Sequence, residues 1–202
     1  AAGFASPAIH SPHPYPEAGA NNELDLVYQL RIPIVVGATS STMHFDEVAI
    51  IEPGENGSTF GSPDFYDYVV VEGSADGGHT WVPLADGYDA RDQAAWLSAY
   101  NASTAGSPTQ FRTRHIDLRN TFNTGEVVVI RFRLHSDPFS AGWGWVIDNL
   151  HIQTDDVAPD ILHHHVDYLP IGTSTVSLPV TVTDAGRVDQ LAFEYAANDQ
   201  PL

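Results

Sequence analysis

Residues 68–84 of this chain admit one local structure. A run rich in β-branched residues, Tyr68-Val69-Val70-Val71-Glu72-Gly73, leads into Ser74-Ala75-Asp76-Gly77-Gly78-His79-Thr80-Trp81, and Val82-Pro83-Leu84 leads away. Val and Tyr suit a pleated, half-buried strand. Asp76 can accept hydrogen bonds from the backbone N–H groups of the turn. Gly77 and Gly78 supply the positive φ that a tight reversal needs. Trp81 is placed to fold back over the hairpin as a plug. The segment therefore predicts a β-hairpin in which Asp76 serves the turn.

The rest of the chain repeats that theme. Strands are expected over 26–36, interrupted by Pro33, then over 42–52, 68–72, 81–84, 112–118, 127–135 and 143–153. Pro33 marks an edge or a bulge, because proline cannot donate to a ladder. Short strands separated by turn signals, with one short helix expected within 92–100, indicate an all-β antiparallel sandwich. Residues 1–23, rich in Ala, Pro, His and Gly, read as an extended N-terminal segment. Residues 85–110 form a long insertion inside the sandwich of 24–154. A boundary falls near 154–159. Beyond it, strand-like runs at 160–165, 175–183 and 188–196 amount to less than half of an immunoglobulin-like domain. Such a partial domain, and a chain that does not open on Met, read as an excised piece of a longer protein.

Charge narrows the function classes. The chain of 202 residues carries 26 Asp plus Glu against 8 basic residues, all Arg, for a net charge of −18. Nucleic acid is an unfavourable partner, since phosphate binding needs clustered cations. Anionic membrane surfaces are disfavoured for the same reason. No apolar run reaches the length of a membrane-spanning helix, so membrane insertion is not expected. There is no cysteine, so neither disulfides nor thiol chemistry enters. Two explanations of the acidity stand side by side. One is a salt-adapted organism; the other is an arginine-favouring genome combined with carboxylates that hold divalent cations.

Four segments together carry a family resemblance. They are Phe45-Asp46-Glu47-Val48, the turn Ser74 to Trp81, Ile130-Arg131-Phe132-Arg133, and Gly144-Trp145-Val146-Ile147-Asp148-Asn149-Leu150-His151-Ile152. The turn fits the Asp-box pattern S-x-D-x-G-x-T-W through Ser74, Asp76, Gly78, Thr80 and Trp81. The order of the four resembles that of secreted jelly-roll modules, in particular reelin-type and MAM-like repeats and large bacterial cell-surface proteins. The resemblance covers about two thirds of the chain. It implies a jelly-roll β-sandwich followed by the opening of an immunoglobulin-like or fibronectin-like domain. It implies a secreted or cell-surface setting, and the missing cysteines favour a bacterial one. The function it implies is non-catalytic: a calcium-stabilised module for adhesion or glycan binding, with a glycan or another surface protein as partner beside other domains of the parent chain. The alternative is the accessory C-terminal region of a secreted hydrolase such as a metallopeptidase.

Strand parity supplies the candidate residues. Met43, Phe45, Glu47, Ala49 and Ile51 share one face, so Glu47 is expected among apolar neighbours. On the last sandwich strand, unbroken alternation puts Val146, Asp148, Leu150 and Ile152 on the core side. Two core-directed carboxylates need compensation. A calcium ion, which takes six to eight oxygen ligands, is one solution; hydrogen bonds to backbone N–H groups at a bulge or sheet end are the other. The resemblance adds that calcium-binding jelly rolls use the Asp of the closing Ile-Asp strand, which nominates Asp148, with Glu47 or Asp46 nearby. A second acidic group, Glu52, Glu55, Asp64 and Asp67, surrounds a turn-rich loop. Trp143 and Trp145 are expected on the outer face of their strand, and Trp96 and Tyr100 lie in the insertion. These four are the candidate sugar platform, unless the insertion folds down and buries them. His163, His164 and His165 alternate across a strand, a weak arrangement for zinc. No zinc-protease, esterase, P-loop or dinucleotide motif is present, and a glycosidase using two loop carboxylates is a minor third reading.

Overall fold

The computed structural model describes residues 8–16, 23–154, 159–163 and 179–183. The chain divides into two compact units, Ala1–Thr154 and Asp155–Leu202. The first is an all-β antiparallel sandwich. Its strands are β1 (Ile9–His10), β2 (Leu24–Gln29), β3 (Ile34–Val35), β4 (Thr42–Ile50), β5 (Tyr68–Ser74), β6 (Val82–Pro83), β7 (Arg112–Asp117), β8 (Val127–Ser136) and β9 (Gly144–Ile152). One sheet runs in the order β1-β9-β4-β7. The other runs β2-β8-β5-β6, with β3 also paired to β8.

The elements follow the sequence pattern closely. Along β8, Val128, Ile130, Phe132 and Leu134 are buried and alternate with Val129, Arg131, Arg133 and His135. Pro33 separates β2 from β3, which pair with opposite ends of β8. The sheets meet through apolar side chains: Phe45 of β4 stands edge-on to Phe132 of β8, with ring centroids 5.4 Å apart. The insertion yields α1 (Ala94–Asn101), which packs on β4 and sends Trp96 into the core.

Within the extended N-terminal segment, the described residues 8–16 join the sandwich, and one expectation on β9 changes. Ile9 and His10 pair with Ile147 and Val146 as an edge strand, and Tyr15 is buried. On β9, alternation breaks at Asn149, whose φ is 51°. Asp46 pairs with Asp148 but His44 pairs with His151, so β9 carries one extra residue between those two rungs. That is a β-bulge. It puts Trp145 and Ile147 inward before the break, and Leu150 and Ile152 inward after it. Asp148 therefore points outward beside Asp46, opposite to the sequence expectation.

In the second unit, β10 (Asp160–His163) pairs antiparallel with β11 (Val180–Thr183), Asp160 opposite Thr183 and His163 opposite Val180. His164, His165 and the strand expected over 188–196 lie outside the described residues.

Candidate functional site

The hairpin at 74–81 spends its polar atoms on itself. Asp76 Oδ1 accepts from the Ser74 hydroxyl at 2.7 Å and from the backbone N–H groups of His79 at 3.0 Å and Thr80 at 2.9 Å. Its Oδ2 accepts from the Thr80 hydroxyl at 2.7 Å. The hydrogen bonds to Thr80 hold the Asp76 carboxyl well below the usual carboxylate range. Gly77 and Gly78 have φ of 73° and 96°, and the Trp81 indole donates to Gly78 O at 3.0 Å.

Glu47 lies in the core, where parity placed it, and it is fully buried. Its compensation comes from side chains. Arg114 Nε donates to Oε1 at 2.5 Å, while Tyr88 Oη and Trp145 Nε1 donate to Oε2 at 2.5 and 2.8 Å. Burial pushes the Glu47 carboxyl upward, and these three donors oppose it. Arg114 Cζ also sits 3.5 Å from the Tyr88 ring centroid. Asp46 and Asp148 are on the other side of the sheet, with Asp46 accepting from Thr113 and Asn149. Of the expected calcium ligands, the sheet separates Glu47 from Asp148, whereas Asp46 stands opposite Asp148 on the outer face. Sequence reasoning missed Arg114, although the apolar Ile116 two residues on shares its face of β7 and is a signal for it.

The aromatic candidates also separate. Trp96 and Trp145 are 0% and 1% exposed, their indole N–H groups bound to Gln110 O at 2.9 Å and to Glu47. They are core residues. Trp143 and Tyr100 do meet, lining one cleft of about 820 Å³ with His13, Asn101, Ser103 and Ser140. The His13 ring stacks on Trp143 with centroids 3.9 Å apart and planes 11° from parallel, and its Nδ1 bonds Trp143 O at 3.0 Å. Burial lowers the His13 pKa, and its buried Nε2 has no partner among the described residues. A Cβ at residue 106 would lie 2.4 Å from the Trp143 ring, so Gly106 lets the backbone pack against the indole.

Carboxylates gather at the end of the sandwich where β4 ends, β5 begins and β8 ends. Glu52, Asp67 and Asp137 each bring an oxygen within 4.8 Å of the others. Asp67 is fully buried. It accepts from the Tyr15 hydroxyl and, at 2.7 Å, from the Asp137 backbone N–H. Burial pushes its carboxyl up to about 7 against those two hydrogen bonds. Burial and the neighbouring Asp137 raise Glu52 as well, and Glu52 Oε2 is buried without a partner among the described residues. Tyr100 joins this group to the cleft: burial and the charges of Glu52, Asp67 and Asp137 push its hydroxyl up to about 12.

Sequence proximity had grouped Glu52 and Asp67 with Glu55 and Asp64. Glu55 instead accepts from Tyr66 at 2.8 Å, and Asp137 takes a place that only the pairing of β5 with β8 supplies. His13 was missed too, because it reaches Trp143 from 130 residues away. Among the described residues no helix is long and apolar enough to cross a membrane. No family model matches the chain, and no curated protein matches it either.

Proposed function

We propose that the first unit is a non-catalytic glycan-binding or adhesion module of a secreted or cell-surface bacterial protein, stabilised by calcium. The observation that carries this reading is the cleft itself. Its volume of about 820 Å³ falls in the range of small-molecule sites. It offers aromatic surface from Trp143 and Tyr100, and amide and hydroxyl groups from Asn101, Ser103 and Ser140 to meet sugar hydroxyls. A neutral saccharide also escapes repulsion by a chain of net charge −18.

The strand orders support the jelly-roll form of the sandwich. With β2 and β3 counted as one interrupted strand, the chain crosses between sheets at every connection except the 74–82 hairpin. The cation belongs to Glu52, Asp67 and Asp137, not to the closing strand. Hard carboxylate oxygens suit calcium, and a divalent ion would offset the cost of ionising Asp67 in a buried place.

Trp fluorescence of the full chain, titrated with a panel of neutral oligosaccharides, tests the cleft. Saturable quenching that disappears in Trp143→Ala at an unchanged melting temperature supports it. A panel that leaves the emission unchanged overturns it. Thermal melts in EDTA and in calcium, each at low and high sodium chloride, test the cation. A calcium-specific rise that Asp137→Asn abolishes supports it, whereas an equal rise with sodium chloride alone assigns the effect to screening.

A further inference from the structure

The outer face of the first sheet carries a row of three histidines. His44 of β4 is paired in register with His115 of β7 on one side and with His151 of β9 on the other. The three therefore stand on one line across adjacent strands, although 71 and 36 positions of sequence separate them. Their side of the sheet is fixed by their neighbours: Met43 and Phe45 are core residues at 0% exposure, so His44 between them points outward. His115 and His151 are exposed. Ring centroids lie 5.7 Å apart for His44 and His115, and 4.7 Å apart for His44 and His151, whose planes are within 17° of parallel.

The bulge at Asn149 makes this row. Unbroken alternation from the inward Ile147 would send His151 into the core. The extra residue reverses the parity, turns His151 outward and brings it opposite His44. Re-aiming a side chain is a recognised use of a bulge. The next row on the same face is acidic. Asp46 lies opposite Asp148 and Thr113, and the charges of His44 and His115 help hold the Asp46 carboxyl below its usual range, after the hydrogen bonds from Thr113 and Asn149.

We infer that His44, His151 and His115 form a binding site for a first-row divalent metal ion of the zinc type. Imidazole nitrogens suit zinc, copper and nickel, whereas calcium and magnesium require oxygen. The site is therefore chemically distinct from the carboxylates at the end of the sandwich. Zinc–nitrogen bonds of about 2.0–2.1 Å in a tetrahedron set neighbouring ligand nitrogens roughly 3.4 Å apart. The rings stand side by side rather than converged on a point. His115 and His151 flank His44 two strand spacings of about 4.8 Å apart, so metal binding requires both exposed imidazoles to rotate in toward His44. His44, in the middle, is the indispensable ligand. The adjoining carboxylates and the chain's negative field raise the local cation concentration.

The test is calorimetric titration of the full chain with zinc chloride, in saturating calcium so that the carboxylate cluster is occupied. Cobalt(II) substitution gives an independent readout, since tetrahedral nitrogen coordination produces intense visible absorption. Both are repeated in a His163→Gln/His164→Gln/His165→Gln background, which removes the histidine run of the second unit. The expected result is one zinc per chain, with cobalt absorption, retained in that background. His44→Ala is expected to lower affinity at least tenfold, and His151→Ala and His115→Ala to lower it less. All three are outward-facing, and melting temperatures without metal verify that they fold. The inference is overturned if no zinc binds, if binding survives His44→Ala undiminished, or if it vanishes with the 163–165 run.

Discussion

Asp67 should make this protein less stable as the pH rises from acid to neutral, beside smaller contributions of the same sign from Glu47 and Glu52, and its own share should disappear with its side chain. Its carboxyl titrates at about 7 in the folded chain against an ordinary value of 3.8, chiefly because burial penalises the charged form. A carboxyl with a raised folded pKa contributes stability that is fully present below the unfolded pKa and lost as pH rises through the folded one. A displacement of about 3 units corresponds to roughly 4 kcal/mol, of which about 3 kcal/mol falls between about pH 4.5 and pH 8. Asp67→Asn removes the titration and keeps the shape. Its single amide oxygen serves only one of the two donors, Tyr15 Oη and the Asp137 N–H, which costs about 1–3 kcal/mol at every pH. In EDTA the variant should thus be the less stable protein near pH 4.5 and should equal or overtake the parent near pH 8. Urea unfolding at fixed ionic strength, followed by the fluorescence of the buried Trp96 and Trp145, measures the difference. Calcium added near pH 8 should restore the parent's advantage. Stability curves that run parallel from acid to alkaline pH would refute the reasoning, because Asp67 would then titrate alike in the folded and unfolded chains.

Three further outcomes follow from individual contacts. Arg114→Ala strands the fully buried Glu47 carboxylate and should cost about 3–5 kcal/mol in chemical unfolding, with Glu47→Gln/Arg114→Met recovering most of it. Gly106→Ala should push the Trp143 ring off the His13 stack, which shifts tryptophan emission and weakens saccharide binding while the global unfolding midpoint falls little. Asp76→Ala should speed amide exchange at Gly78, His79 and Thr80, whose positions depend on Ser74 and Asp76, and should leave both the cleft and calcium binding unchanged.

How much of this was legible in the sequence depends on the range of the interactions involved. The 74–81 hairpin was fully so, because its donors, acceptors and glycines all lie within eight consecutive residues. The burial of Glu47 was legible as well, since parity within one strand needs no partner. Asp148 and Trp145 came out reversed for a single reason: one left-handed residue, Asn149, resets the alternation of β9. An Asn is compatible with that conformation but does not announce it.

By itself, then, the sequence determined the all-β character, the hairpin, the approximate positions of β2 to β9 and the acidity that disfavours phosphate partners. These follow from neighbours along the chain and from summed charge. Only the tertiary structure decided which carboxylates meet. Glu52, Asp67 and Asp137 converge because β4 ends, β5 begins and β8 ends at one end of the sandwich, and Glu47 finds its cation on β7. The tertiary structure likewise brought His13 to Trp143 and aligned His44, His115 and His151. The physical reason is register: hydrogen-bonded pairing between distant strands fixes which side chains face each other, and a one-residue slip moves every one of them to the opposite face.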